Sequence, residues 1–249
     1  MIYFVGAGPG DVDLITIKGR KLLEEADIII YAGSLVSDEH LKFAKSDCKF
    51  YNSASMTLDE VIEIMKENPD KKIVRLHTGD PSIYGAIREQ MDELDKLNRP
   101  FEVVPGVSSF TAAAASIKKE FTLPNVSQTV ILTRMAGRTP VPEGEDILSL
   151  AKHKASMAIF LSVKNIEKLT KELIEGYGSD EVPVAVVYKA SWEDEDIIYG
   201  TLKDIAKKVK EKGIYKTAQI LVGGFIEGDY EKSKLYDPKF SHEYRQKRK

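Results

Sequence analysis

Short apolar runs alternate along the chain with longer segments whose apolar residues recur every three or four positions. The runs Ile2–Val5, Ile28–Tyr31, Lys49–Asn52, Lys72–His77 and Phe101–Val104 have the length of strands. Amphipathic spacing predicts helices over Thr16–Glu25, Leu58–Glu67 and Ile83–Leu97. Thr57 and Glu60 supply a capping box for the second of these. A small-residue helix is expected from about Ser109 to Ser116. Such βα alternation implies a mostly parallel sheet with helices on both faces.

The stretch from Phe121 to Ser127 interrupts this rhythm and marks a domain boundary. Strands are then expected at Thr129–Thr133, Ser156–Leu161, Val182–Tyr188, Asp196–Gly200 and Ala218–Gly223. Helices are expected near Asn165–Tyr177 and Leu202–Lys212. Ile197–Thr201 can pair antiparallel with Val184–Tyr188, because only a short polar stretch separates them. The chain therefore reads as two α/β domains, 1–120 with a mostly parallel sheet and 121–228 with a mixed one, followed by a basic tail at 229–249.

Three predicted strands end in glycine- and proline-bearing turns: Gly6-Ala7-Gly8-Pro9-Gly10-Asp11, Thr78-Gly79-Asp80-Pro81-Ser82-Ile83-Tyr84-Gly85, and Pro105-Gly106-Val107-Ser108-Ser109. Glycine allows close backbone approach and proline stiffens the turn. Loops of this kind at strand C-termini build a ligand crevice. The first resembles a dinucleotide fingerprint and departs from it at Asp11, where a third glycine should let the helix pack closely. Pro9 also removes an N–H, and Asp11 sets a carboxylate where a diphosphate would lie. The ligand beside Asp11 should be neutral or cationic, and the sulfonium S-adenosylmethionine suits this loop better than NAD.

Composition narrows the picture further. The 249 residues are 43% hydrophobic, ample for a core, and no apolar run approaches membrane-spanning length. Met1 leads straight into a core strand, which does not read as a signal peptide, so a cytoplasmic protein is expected. A net charge of -3 gives no bias toward nucleic acid. Lys239, Arg245, Lys247, Arg248 and Lys249 read as a solvated tail rather than a binding arm. With Cys48 the single cysteine, no disulfide framework and no cysteine-built metal site can form. His40, His77, His153 and His242 show no ligand spacing, so no protein-bound metal is expected.

The set GAGPGD, HTGDP and PGVS, with Gln128 to Arg134 downstream, resembles the tetrapyrrole (corrin/porphyrin) methyltransferase family over roughly Ile2 to Gly224. The segments Tyr31 to Ser37, Arg138 to Pro142 and Val187 to Trp192 are most similar to members that methylate C11 of the cobalamin precursor precorrin-4, with or without cobalt. The resemblance implies two α/β domains with a cofactor crevice between them, S-adenosylmethionine as methyl donor, a tetrapyrrole substrate and a homodimer. Some relatives that methylate uroporphyrinogen carry an Asp soon after the second strand's Tyr, proposed as a base, and a Lys in the loop after the next strand. Here Tyr31-Ala32-Gly33-Ser34 and Tyr51-Asn52-Ser53-Ala54 carry neither, which leaves no residue to name as a general base. Rival readings are a sibling acting at another ring carbon, diphthine synthase, a nicotinamide oxidoreductase and a non-catalytic binding module.

Residue by residue, the resemblance carries Pro9, Thr78, Gly79, Asp80, Ile83, Ser108 and Ser109 into a cofactor cradle, and Leu161, Ala190 and Ala218 into an adenosine wall. Read alone, Asp80 either braces its turn or joins the cradle, and Leu161 reads as ordinary core. Arg138, Arg134 and Lys189 are the expected partners of the substrate's carboxylates, with Arg75 a further candidate, because a planar guanidinium matches a carboxylate fork.

Overall fold

The computed structural model describes residues 1–33, 35–236, 239–241, 243 and 245. Ser34, His242, Lys247, Arg248 and Lys249 lie outside the described residues. The chain divides into two compact units, the first formed by Met1–Ala112 together with Lys189–Glu195, the second by Ala113–Tyr188 and the residues from Asp196 onward. The packing division thus falls earlier than the 120/121 boundary expected from the sequence.

In the first unit, β1 (Ile2–Gly6), β2 (Ile28–Tyr31), β3 (Lys49–Asn52), β4 (Ile73–His77) and β5 (Phe101–Val104) form one sheet in the order β3-β2-β4-β1-β5. Every pairing in it is parallel. Parallel strands are covered on both faces, which is why Ile28, Ile29 and Ile30 are all buried. Alternate side chains feed two apolar clusters. One gathers Val5, Ile29, Val74 and Leu76 with Leu22 and Leu23 of α1 (Ile17–Glu25). The other gathers Ile2, Phe4, Ile28, Ile30 and Ile73 with Met65 of α2 (Leu58–Glu67) and Leu94 of α3 (Arg88–Lys96).

The capping box of α2 forms as expected, Thr57 and Glu60 bonding each other's backbone N–H. By contrast, α3 starts at Arg88 and not at Ile83. Tyr84 and Ala86 have φ of 55° and 49°, left-handed values that no α-helix accommodates. Gly85 is pressed so closely on the Pro81 carbonyl that a Cβ there would overlap it.

The second unit contains β6 (Val130–Arg134), β7 (Ser156–Phe160), β8 (Pro183–Tyr188), β9 (Asp196–Thr201) and β10 (Ala218–Val222), in the order β6-β7-β10-β8-β9. β6 and β7 are parallel, whereas β10 runs antiparallel to β7 and β8, and β8 antiparallel to β9. The sheet is mixed, as the sequence predicts. Its core packs Met157, Ile159, Val184, Val186 and Ile220 with Leu169 and Leu173 of α6 (Ile166–Tyr177) and Ile205 and Val209 of α7 (Ile205–Glu211). α6 stops at Gly178, whose φ of 74° supplies the left-handed C-terminal turn. A five-residue helix, α5 (Ile147–Ala151), was not anticipated; Asp146 caps it by accepting from the Ser149 N–H at 2.9 Å. α4 (Ser109–Ser116) matches its expected span, and the division between units falls within it.

Candidate active site

Because β4, β1 and β5 are parallel neighbours, their C-terminal ends emerge along one edge of the sheet and carry the three glycine loops with them. The loops pack backbone on backbone. A Cβ on Gly6 would lie 2.6 Å from Gly106 Cα and from the Gly79 carbonyl, and one on Gly106 would overlap that carbonyl. Gly8 and Gly79 form an isolated bridge, with Gly79 N–H donating to Gly8 O at 2.8 Å. Here glycine is required for approach, and no side chain can substitute.

Asp80 holds this arrangement. One carboxylate oxygen accepts from the Ser82 N–H in its own turn at 2.8 Å, and the other from the Gly106 N–H in the third loop at 3.0 Å. The carboxylate is therefore a cross-brace between two loops. Two oxygens offer about four acceptor sites, so further bonds to a ligand remain open. Thr78 and Ile83 are half-buried around it, and Ser108 is buried at the start of α4 beside Ser109.

The first loop has almost no donor left for a phosphate. Ala7 N–H donates to His77 O at 2.7 Å and Gly8 N–H to Gly79 O at 3.3 Å. Asp11 N–H donates to the Ser191 hydroxyl at 3.1 Å, and Pro9 has no N–H. Asp11 also caps the short turn after it, its carboxylate accepting from Asp13 N–H at 2.9 Å. A diphosphate needs free backbone N–H groups at such a turn. Of this loop's N–H groups, those of Ala7, Gly8 and Asp11 are already used, which strengthens the objection raised by Asp11 alone.

Two partners of the loop escaped sequence reasoning. His40, almost wholly buried, sets Nε2 2.8 Å from Ala7 O and Nδ1 3.1 Å from Ser37 O. Trp192 donates from Nε1 to Pro9 O at 2.8 Å. Neither contact has a local sequence signal; Trp192 stands out only as the single tryptophan in the Val187 to Trp192 segment. Ala190 is buried in the same Lys189–Glu195 segment, between Lys189 and Ser191 at φ of 47° and 69°. Lys189 pairs with Asp194 at 2.5 Å.

Arg75 and His77 are both buried, and among the described residues neither forms an ion pair. Arg75 is buried, donating to Gln90 Oε1 at 3.2 Å and Ile30 O at 3.3 Å, and burial lowers its pKa to about 10, still cationic at neutral pH. It is a bolt between β4, β2 and α3 rather than a loop-edge arginine as expected. Burial, and then the charge of Arg75, lower the His77 pKa to about 3, and its Nε2 has no hydrogen-bond partner. His77 is thus neutral at physiological pH. Among the described residues no three His, Cys, Asp or Glu side chains group as a metal site would require.

In the second unit, the C-terminal ends of β6, β7 and β8 and the N-terminal end of β10 share one sheet edge. Arg134, Leu161 and Ala218 stand along it. Leu161 is not core: it is 77% exposed, with φ of 53°. Thr217, next to Ala218, has φ of 54°. Left-handed non-glycine residues and an exposed leucine at one edge mark a surface shaped for something other than packing. Arg134 turns inward on its own loop, donating to the carbonyls of Met135, Thr139 and Pro140, each at 3.0 Å. It braces the loop whose exposed tip carries Arg138.

Fold and loops together define a class of α/β proteins with two five-stranded sheets and a glycine cradle at the C-terminal strand ends of the first. The chain belongs to the family of tetrapyrrole (corrin/porphyrin) methylases, whose model matches residues 1–206. It is 60% identical to a cobalt-precorrin-4 C(11)-methyltransferase of Methanocaldococcus jannaschii, over all of this chain and 97% of that one. It is 44% identical to a precorrin-4 C(11)-methyltransferase of Pseudomonas aeruginosa, over 98% of each chain. The X-ray structure of a cobalamin biosynthetic cobalt precorrin-4 methyltransferase superposes with a TM-score of 0.89 at 48% identity, covering 91% of this chain and 96% of that one.

Proposed function

We propose that this chain transfers a methyl group from S-adenosylmethionine to C11 of precorrin-4 or its cobalt complex. The observation that carries the reading is the first loop, where the N–H groups of Ala7, Gly8 and Asp11 donate within the protein, Pro9 has none, and the Asp11 carboxylate stands at the loop's end. Such a loop favours a ligand with cationic character and no diphosphate. Full-length similarity to relatives named for this reaction supports the substrate assignment.

When bound, the cofactor supplies a methyl group on a sulfonium sulfur, which keeps the bonding electron pair as the methyl departs. The chain's own part is binding and orientation. Backbone carbonyls of the loops and Asp80 receive the ammonium of the methionine end, and Leu161, Ala190 and Ala218 contact the adenosine. Arg138 holds a substrate carboxylate. Holding the two reactants in attack geometry supplies acceleration, an electron-rich ring carbon needs little further activation, and the positive charge that arrives with the methyl leaves the ring as a proton to solvent. Any cobalt belongs to the substrate. A homodimer is proposed on family resemblance alone, and light scattering at micromolar concentration tests it against a monomer.

The experiment is direct. Purified protein, labelled cofactor and precorrin-4, with and without cobalt, are incubated and the product weighed by mass spectrometry. A gain of one methyl supports the reading, and an unchanged mass with both substrates refutes it.

A further inference from the structure

The segment Lys189–Glu195, which contains the assigned Lys189 and Ala190, joins β8 to β9 and packs in the first unit. It is tied to itself at every step. Trp192 N–H donates to Lys189 O at 2.9 Å, Glu195 N–H to Trp192 O at 3.1 Å, and Ser191 N–H to the Glu195 carboxylate at 2.7 Å. The Lys189 ammonium pairs with Asp194 and sits 5.4 Å from the centroid of the Trp192 ring. Two left-handed non-glycine residues, Lys189 and Ser191, persist in it. Strained residues persist where the surroundings over-determine them.

This rigid strap is applied to one target. The indole lies so closely on Gly10 that a Cβ there would overlap its ring. Its Nε1–H takes the Pro9 carbonyl, and the neighbouring Ser191 hydroxyl takes the Asp11 N–H. The strap therefore fixes both sides of Gly10 and the carboxylate-bearing residue that follows. We propose that Trp192 is a positioning residue which holds the Gly8–Asp11 loop in its ligand-binding shape, and that its fluorescence reports occupancy of that loop. This rests on the cofactor reading above. It assigns no contact between Trp192 and the reacting atoms.

The chain has one tryptophan, so selective indole excitation reads this strap alone. The test titrates S-adenosylhomocysteine into the full-length protein, following indole emission and calorimetric heat in parallel. The expected result is an emission change that saturates with the calorimetric midpoint. In Trp192→Phe, which keeps an aromatic body and loses the donor, affinity should fall about tenfold, the order of one hydrogen bond's contribution, and by more than any fall in melting temperature accounts for. Ser191→Ala, which removes the acceptor for Asp11 N–H, should weaken binding in the same sense and provides the test if the Phe variant does not fold. Unchanged affinity in both folded variants overturns the inference, as does a loss of binding that merely tracks a fall in melting temperature. Absence of calorimetric binding to the wild type removes the cofactor reading itself, and the inference with it.

Discussion

Replacing Asp80 with alanine removes two backbone hydrogen bonds at once, and they are not equivalent. The Ser82 N–H lies at the exposed side of the turn and regains water, whereas the Gly106 N–H is part-buried among loops packed backbone on backbone. A hydrogen bond to a charged group contributes about 1.5–3 kcal/mol, and a buried N–H left bare costs about 1–3 kcal/mol. With the exposed bond discounted, the expected loss is about 2–4 kcal/mol. For a chain of this size that lowers the melting temperature by about 5–15 °C. Asp80→Asn keeps one carbonyl oxygen for Gly106 and turns an amide toward Ser82, so it should fall between. Calorimetric melting reads the stability, and S-adenosylhomocysteine titration well below the transition reads the second role. If Asp80 also meets the cofactor, affinity in the folded alanine variant drops about tenfold or more. A melting temperature within about 1 °C of wild type would refute the brace.

Gly106→Ala should be poorly tolerated, since the added carbon meets Gly79 O and Gly6 Cα, both backbone; a soluble yield and melting temperature equal to wild type would contradict this. His77, with a pKa lowered from 6.5 to about 3, binds its proton in the unfolded chain first, so stability should rise with pH between those values. The single-site limit is about 1.4 kcal/mol per pH unit, and in denaturant titrations His77→Gln should lose that slope; an identical slope in the variant would contradict the burial argument. Arg138→Ala should raise KM for the tetrapyrrole with cofactor affinity unchanged, by about 1–3 kcal/mol at low salt, less if the carboxylate stays solvated. Arg138→Lys should recover part of that loss, whereas a wild-type KM in the alanine variant would return Arg138 to the solvated surface.

Much of the fold was legible because its signals are local. Ile28–Tyr31 reads as a buried strand from composition, and the Thr57–Glu60 box announces α2 within four residues. What failed had no local signature. Residues Ile83 to Ile87 keep helical spacing, but Tyr84 and Ala86 adopt left-handed φ values in the turn that follows Asp80. α5 is too short for a period to show. Leu161 is chemically indistinguishable from a core leucine, and only its exposure and φ separate it. For the site, the three glycine loops were visible at their strand ends, yet the clamp on the first was not. Ser191 and Trp192 reach it across most of the chain, and His40 acts from a different loop. Arg134 and Arg75 read in the sequence only as arginines near loops; in the structure Arg134 donates to carbonyls of its own loop, and Arg75 to Gln90 and to the Ile30 carbonyl of the neighbouring strand.

The account's central claim is methyl transfer to one ring carbon of a corrin precursor. NMR of the product made with isotopically labelled methyl donor locates the new carbon directly. The account predicts one labelled methyl, attached at C11 of precorrin-4 or of its cobalt complex. A label on any other ring position, or none on the ring at all, would contradict it.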